Sequence, residues 1–156
     1  MRVLADEFGM VKLVPMHTFC VGGDDRYYLA KIALGMNDNR CTVIHKPQNL
    51  WELYACYENA RACVGMRYHS VVMQTILNGN NFILDYTDPA SGKIAGFVKD
   101  LKGSEFYSER MIQLQKPGEV FKPSEIAAVL RKGERFCFCD DGMLERYRQF
   151  IARCLR

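Results

Sequence analysis

Cys63-Val64-Gly65-Met66-Arg67-Tyr68-His69-Ser70 decides how this chain is read, because a short apolar run there turns at once into an arginine and a histidine two residues apart. Ala62 to Met66 has the length and composition of a buried strand closed by Arg67. The crowded apolar pattern of Val71, Val72, Thr75, Ile76 and Leu77 predicts a helix packed on a sheet. Arg67 and His69 then stand at a strand-to-helix junction. With Ser70 or a neighbour capping the helix, free backbone N–H groups and the positive end of the helix dipole join a guanidinium and an imidazole at one point. An anion is the ligand that suits such a corner.

The same alternation extends to either side. Upstream, Lys12 to Met16 reads as a first strand, His17 to Asp25 as a loop, and Asp24 or Asp25 as the cap of a helix with Tyr28, Leu29, Ile32, Ala33 and Met36 at helical spacing. Asn37-Asp38-Asn39 closes that helix, Cys41 to His45 is a second strand, and Asn49 caps a helix through Leu50, Leu53, Tyr54 and Tyr57. Downstream, Asn78-Gly79-Asn80 ends the helix that follows the opening strand, and Phe82 to Tyr86 is a fourth strand. Lys93 to Leu101 predicts a helix with Ile94, Phe97, Val98 and Leu101 on one side, and Met111 to Leu114 a fifth strand. Pro123 starts another helix with Ile126, Ala127, Val129 and Leu130 inward, and a last helix is expected from about Gly142 to Leu155. Short strands separated by helices call for an α/β fold: a doubly wound, mostly parallel, Rossmann-like sheet with right-handed crossovers. Ligands of such sheets bind at the carboxyl ends of the strands, which gathers the loops after Met16, His45, Met66 and Tyr86 along one edge.

Length and composition narrow the classes. The 156 residues suit one domain, 1–156, and 49% hydrophobic with 25% charged residues is ordinary for a globular chain. A balance of 21 Lys and Arg against 18 Asp and Glu gives a formal charge of +3, too mild to argue for nucleic acid, whereas a small anionic substrate fits it. Seven cysteines, mostly inside apolar periodic segments, imply no disulfide framework, and Cys137-Phe138-Cys139 lacks a second Cys/His pair at zinc spacing, so no metal is required. Without a signal-like apolar core or a run of ~18 apolar residues, no transmembrane segment is expected and the default location is cytoplasmic.

From Glu58 to Ser70, followed by Gly79, the strand Phe82 to Tyr86 and Lys93-Ile94-Ala95-Gly96-Phe97, the sequence resembles the polysaccharide pyruvyl transferase family. The ordered match covers about a quarter of the chain: an alanine-rich helix end, a strand finishing in Gly, an Arg-aromatic-His-Ser turn, a helix ending in Gly, an apolar strand ending in Tyr, and a Lys opening the next helix. The chain departs from the family in one place, where Thr87 to Gly92 intervene between Tyr86 and Lys93. The resemblance implies transfer of the enolpyruvyl-derived group of phosphoenolpyruvate to a sugar as a cyclic ketal, in exopolysaccharide biosynthesis. It also implies a two-domain fold similar to GT-B glycosyltransferases, of which this chain would be the C-terminal, donor-side half, inactive without its missing N-terminal, acceptor-side domain.

Weighed residue by residue, Arg67 is read as binding phosphate or carboxylate with two parallel hydrogen bonds, against a structural ion pair at a helix start. His69 is read as a proton donor or dianion ligand. Ser70 stands between phosphate ligand and helix cap, and Gly65 between close ligand approach and strand–helix packing. His17 is balanced between ligand contact and ordinary loop residue, and Lys93 completes the donor-binding set through the resemblance. Asp24 is read as a helix cap and local ion pair with Arg26, Asp25 as part of a second cleft wall against helix capping, and Tyr86 as a border of the site or a residue that closes the core with its hydroxyl in water. His45 is read as structural, and Arg146, Arg148, Arg153 and Arg156 as a solvated helix face. Two other readings remain: a nucleotide-sugar-binding half of a GT-B-type glycosyltransferase, and a non-catalytic anion-binding domain.

Overall fold

The computed structural model describes residues 1–19, 23–46, 48–115 and 122–138. The expected last helix over 142–155 lies outside them, as do Cys20, Cys139 and Cys154. Helices and strands alternate from the start: α1 (Arg2–Phe8), β1 (Val11–Leu13), α2 (Asp25–Met36), β2 (Cys41–Val43), α3 (Leu50–Glu58), β3 (Cys63–Gly65) and α4 (Tyr68–Leu77). Then come β4 (Asn81–Asp85), α5 (Lys93–Asp100), a 3-10 turn (Ser104–Tyr107), β5 (Met111–Gln113) and α6 (Pro123–Arg131).

The caps explain several boundaries. Asn49 accepts from the Glu52 N–H while the Glu52 carboxylate accepts from the Asn49 N–H, a reciprocal pair that starts α3. Asp24 caps α2 through the Arg26 N–H, and Asn37 ends it in the left-handed region at φ 46°. At the end of α4, Gly79 turns the chain at φ +76°, where an added Cβ would lie 2.4 Å from the Phe136 carbonyl oxygen. Only glycine fits that crossing.

All strand pairs are parallel, but they form two ladders where one continuous sheet was expected. β1 pairs with β2, Val11 opposite Cys41 and Leu13 opposite Val43. β4 lies between β3 and β5, with Val64 opposite Phe82 and Leu84 opposite Ile112. β1 and β3 make no ladder with each other; residues of both line one cleft.

Alternation along β4 builds two cores. Ile83 packs with Val71 of α4, Ile94 and Val98 of α5, Leu101 and Tyr107, while Phe82 packs with Ile126 and Leu130 of α6, joined by Leu4 and Phe8 of α1. Helices α3, α4 and α5 are neighbours on the first face, and α1 packs on α6 at the second. The helix assignments hold for α5 and α6: of the expected inward residues, Ile94, Val98, Leu101, Ile126, Ala127 and Leu130 are buried, and Phe97 and Val129 are partly buried. Helix α2 differs, for none of its residues is buried and Tyr27, Tyr28, Ile32 and Leu34 remain exposed.

Polar groups tie the second ladder together. Arg110, 2% exposed, donates to Asn80 Oδ1 at 3.0 Å, pairs with Glu134 at 3.5 Å and lies 4.4 Å from the Phe106 ring centre. Asn80 Nδ2 in turn donates to the carbonyls of Arg61 and Leu130, so one amide holds the entry to β3 and the end of α6. Beside it the Tyr107 hydroxyl donates to Asn81 Oδ1, and Asn81 Nδ2 donates to Thr75 Oγ1. Burial pushes the Cys63 thiol up to about 12. It therefore stays protonated and unreactive well above neutrality, whereas Cys137 is exposed. Iodoacetamide at pH 8 should label Cys137 rapidly and leave Cys63 unmodified until the protein unfolds, as peptide mass mapping will read.

Candidate functional site

The strand-to-helix junction forms where the sequence places it. β3 ends at Gly65, Arg67 is the N-cap residue of α4 in extended backbone, and Tyr68 opens the helix. No side chain caps α4. Ser70 is buried and lines the cleft, and its hydroxyl donates backwards to the Arg67 carbonyl at 2.7 Å, so it locks the turn and does not cap the helix. Gly65 serves strand–helix packing: an added Cβ would sit 2.7 Å from Gln74 Oε1 and 3.0 Å from Val71 Cγ2.

Arg67 meets Asp25 across the gap between the two ladders. Its Nη2 donates to Asp25 Oδ1 at 2.5 Å, with the arginine side chain 44% exposed and the aspartate 16%. Asp25 Oδ2 accepts the backbone N–H groups of Met16 and His17 at 3.2 and 3.0 Å. One carboxylate thus joins the end of β1, the start of α2 and the end of β3. Its hydrogen bond and charge, with help from the nearby Tyr86 hydroxyl, hold the Arg67 pKa above the ordinary guanidinium value. Arg67 is a permanent cation whose position is fixed on one side and open to solvent on the other.

Beneath this rim the cleft encloses about 810 Å³. Its walls are mostly apolar, with Leu13 and Val14 from β1 and its exit, Tyr28, Leu29 and Ile32 from α2, Val64 from β3, and Leu4 and Leu130 beyond them. The unburied side of α2 is accounted for here, since its Tyr28, Leu29 and Ile32 face the cleft and not a closed core. Gln74 lines the cleft while 4% exposed, and its Oε1 has no hydrogen-bond partner among the described residues. The Tyr57 hydroxyl reaches Met16 Sδ at 3.0 Å, and burial pushes its pKa up to about 12, so it is a neutral hydroxyl.

The remaining candidates are spread along the same edge. His69 is exposed in the first turn of α4, its ring 5.5 Å from that of Tyr68, and it does not line the cleft with Arg67. His17 lies in the loop after β1, its ring 5.5 Å from Phe19 and its charge acting on Asp24. Asp24 is the helix cap and ion-pair partner of Arg26 that the sequence suggested, and Arg26 holds its carboxyl below the usual range. Lys93 is exposed at the first position of α5, and His45 is exposed after β2. Gln74 had not been singled out. Its signal was available in the spacing of Val71, Gln74, Thr75 and Asn78, which puts an amide on the buried stripe of α4.

Among the described residues no three or more His, Cys, Asp or Glu side chains converge as a metal ion would need, and no helix is long and apolar enough to cross a membrane. Comparison of the chain with protein-family models, with curated proteins and with solved structures found no match.

Proposed function

We propose that this chain is the donor-binding half of a pyruvyl transferase-like enzyme that holds phosphoenolpyruvate at Arg67. The observation that carries the reading is the placement of Arg67. It is anchored by Asp25 at the carboxyl end of β3, 44% exposed, and next to the uncapped start of α4. A phosphate or carboxylate there meets a charge-assisted donor and backbone N–H groups together. In the reaction two sugar hydroxyls add to the central carbon of phosphoenolpyruvate, its methylene takes a proton, and phosphate leaves. His69, two residues beyond Arg67 and open to solvent, is the proton donor in this reading. In this reading Lys93 and His17 would add to the anion's ligands, whereas Ser70 and Gly65 shape the turn through the contacts described above. The sugar acceptor is held by an N-terminal domain that completes a GT-B-like pair, and the work is done in the cytoplasm.

A second reading is favoured by one observation. The apolar cleft of about 810 Å³ is larger than a three-carbon phosphate needs, and it suits the base and ribose of a nucleotide sugar whose diphosphate meets Arg67. Calorimetry separates the two. Phosphoenolpyruvate should bind this chain one to one, with affinity falling at least tenfold in Arg67→Ala and less in Arg67→Lys, which keeps the charge but loses the two-pronged donor. Binding of nucleotide sugars alone, abolished by Arg67→Ala, overturns the pyruvyl reading.

A further inference from the structure

Between β1 and β3, which form no ladder with each other, lies a slot that is part of the apolar cleft. In β1 the Val11 N–H donates to the Arg40 carbonyl and the Leu13 carbonyl accepts from Ile44, both on the β2 side. In β3 the Cys63 N–H donates to the Asn80 carbonyl on the β4 side. Parallel strands direct alternate residues to opposite neighbours, so Lys12 and Val64 turn their backbone N–H and C=O groups toward the cleft. Neither has a backbone partner there among the described residues. Two strand edges therefore line the cleft without a backbone partner among the described residues, each carrying groups that are costly to leave so.

The volume suits one strand. One strand of five residues fills a layer about 4.8 Å wide, about 10 Å thick and about 17 Å long, on the order of 800 Å³. The cleft holds about 810 Å³. Its two faces are apolar, as they are around a buried parallel strand. Arg67 and the start of α4 stand at the carboxyl end of the slot, where a strand running parallel to β1 and β3 would bring its own terminal carboxylate. We propose that the cleft binds an extended apolar peptide of about five residues with a free C-terminal carboxylate, added as a strand between β1 and β3 and held at its end by Arg67. Backbone hydrogen bonds to Lys12 and Val64 supply the pairing and the apolar walls the selectivity for side chains. Peptide binding does not depend on the phosphoenolpyruvate reading and shares only Arg67 with it.

The test uses this chain and a fluorescein-labelled pentapeptide, Val-Thr-Val-Ile-Leu, with a free carboxylate. Fluorescence anisotropy should show saturable binding, at least tenfold weaker for the C-terminal amide, and none for a peptide N-methylated at alternate residues. Amide exchange by NMR should slow at Lys12 and Val64 when the peptide binds. Equal binding of the N-methylated peptide would reduce the cleft to a greasy surface and overturn the proposal, as would no binding at all. Slow exchange at Lys12 and Val64 without peptide also overturns it, for the two edges would then pair with each other. The N-methylated arm leaves Arg67 untouched, so its failure is distinguishable from a failure of phosphoenolpyruvate to bind.

Discussion

Arg110→Ala is expected to cost about 3–5 kcal/mol of stability, the largest loss from any single side chain described here. The guanidinium is 2% exposed, and three different parts of the chain use it: Asn80 at the entry to β4, the Phe106 ring and the end of α6. Truncation leaves Asn80 Oδ1 without its donor and opens a cavity beside Phe106, and both effects add. Arg110→Met separates them. It refills most of the volume and still orphans the amide oxygen, so it should cost about 1–3 kcal/mol. Glu134 is 62% exposed and keeps its hydration, so its lost pairing adds little. Urea unfolding of the three proteins reads the series, and equal stability of Arg110→Ala and the parent would refute it.

Asp25→Ala should carry the second largest effect, about 2–3 kcal/mol, because one carboxylate accepts from the Met16 and His17 N–H groups and from Arg67. Asp25→Asn keeps an acceptor for the backbone groups and loses the charge, so it should recover part of the stability. The two variants also report on the anion site. With Asp25 neutral, Arg67 no longer shares its charge, and phosphoenolpyruvate should bind Asp25→Asn as tightly as the parent or tighter. A loss of affinity in Asp25→Asn equal to that of Arg67→Ala would mean that the position of the guanidinium, and not its charge, limits binding.

What could be read from the residues follows their range of action. Local signals served well: the Asn49 capping box, the αL closure at Asn37, the turn at Gly79 and the helix start at Pro123 each depend on a few neighbouring residues. The described strands fall within two residues of their expected bounds for the same reason, except at the end of β1, which stops at Leu13 and not at Met16. Long-range facts did not show. The Arg110 and Asn80 contact spans thirty residues and neither side chain announces its burial, since arginine and asparagine are ordinarily surface residues. The apolar spacing of α2 predicted a packed face, and the spacing is real, but hydrophobic periodicity cannot say whether the facing surface is a core or an open cleft. At the site, the juxtaposition of Arg67 and His69 in sequence suggested one pocket. The first turn of a helix points successive side chains about 100° apart per residue, so Arg67 turns to the cleft rim while His69 projects to solvent.

The division of the strands into two ladders also bears on how the molecule comes apart. Residues 63–113 hold the three-stranded ladder, α4, α5 and most of the first core, and they close on themselves through contacts between chain neighbours. β1, α2 and β2 join that unit through the Arg67–Asp25 ion pair and the apolar cleft. Such a boundary lets one cooperative unit open while the other stays folded. A single melting temperature would then average two transitions of unequal height, and amide exchange at Leu13 and at Ile83 would report different opening free energies.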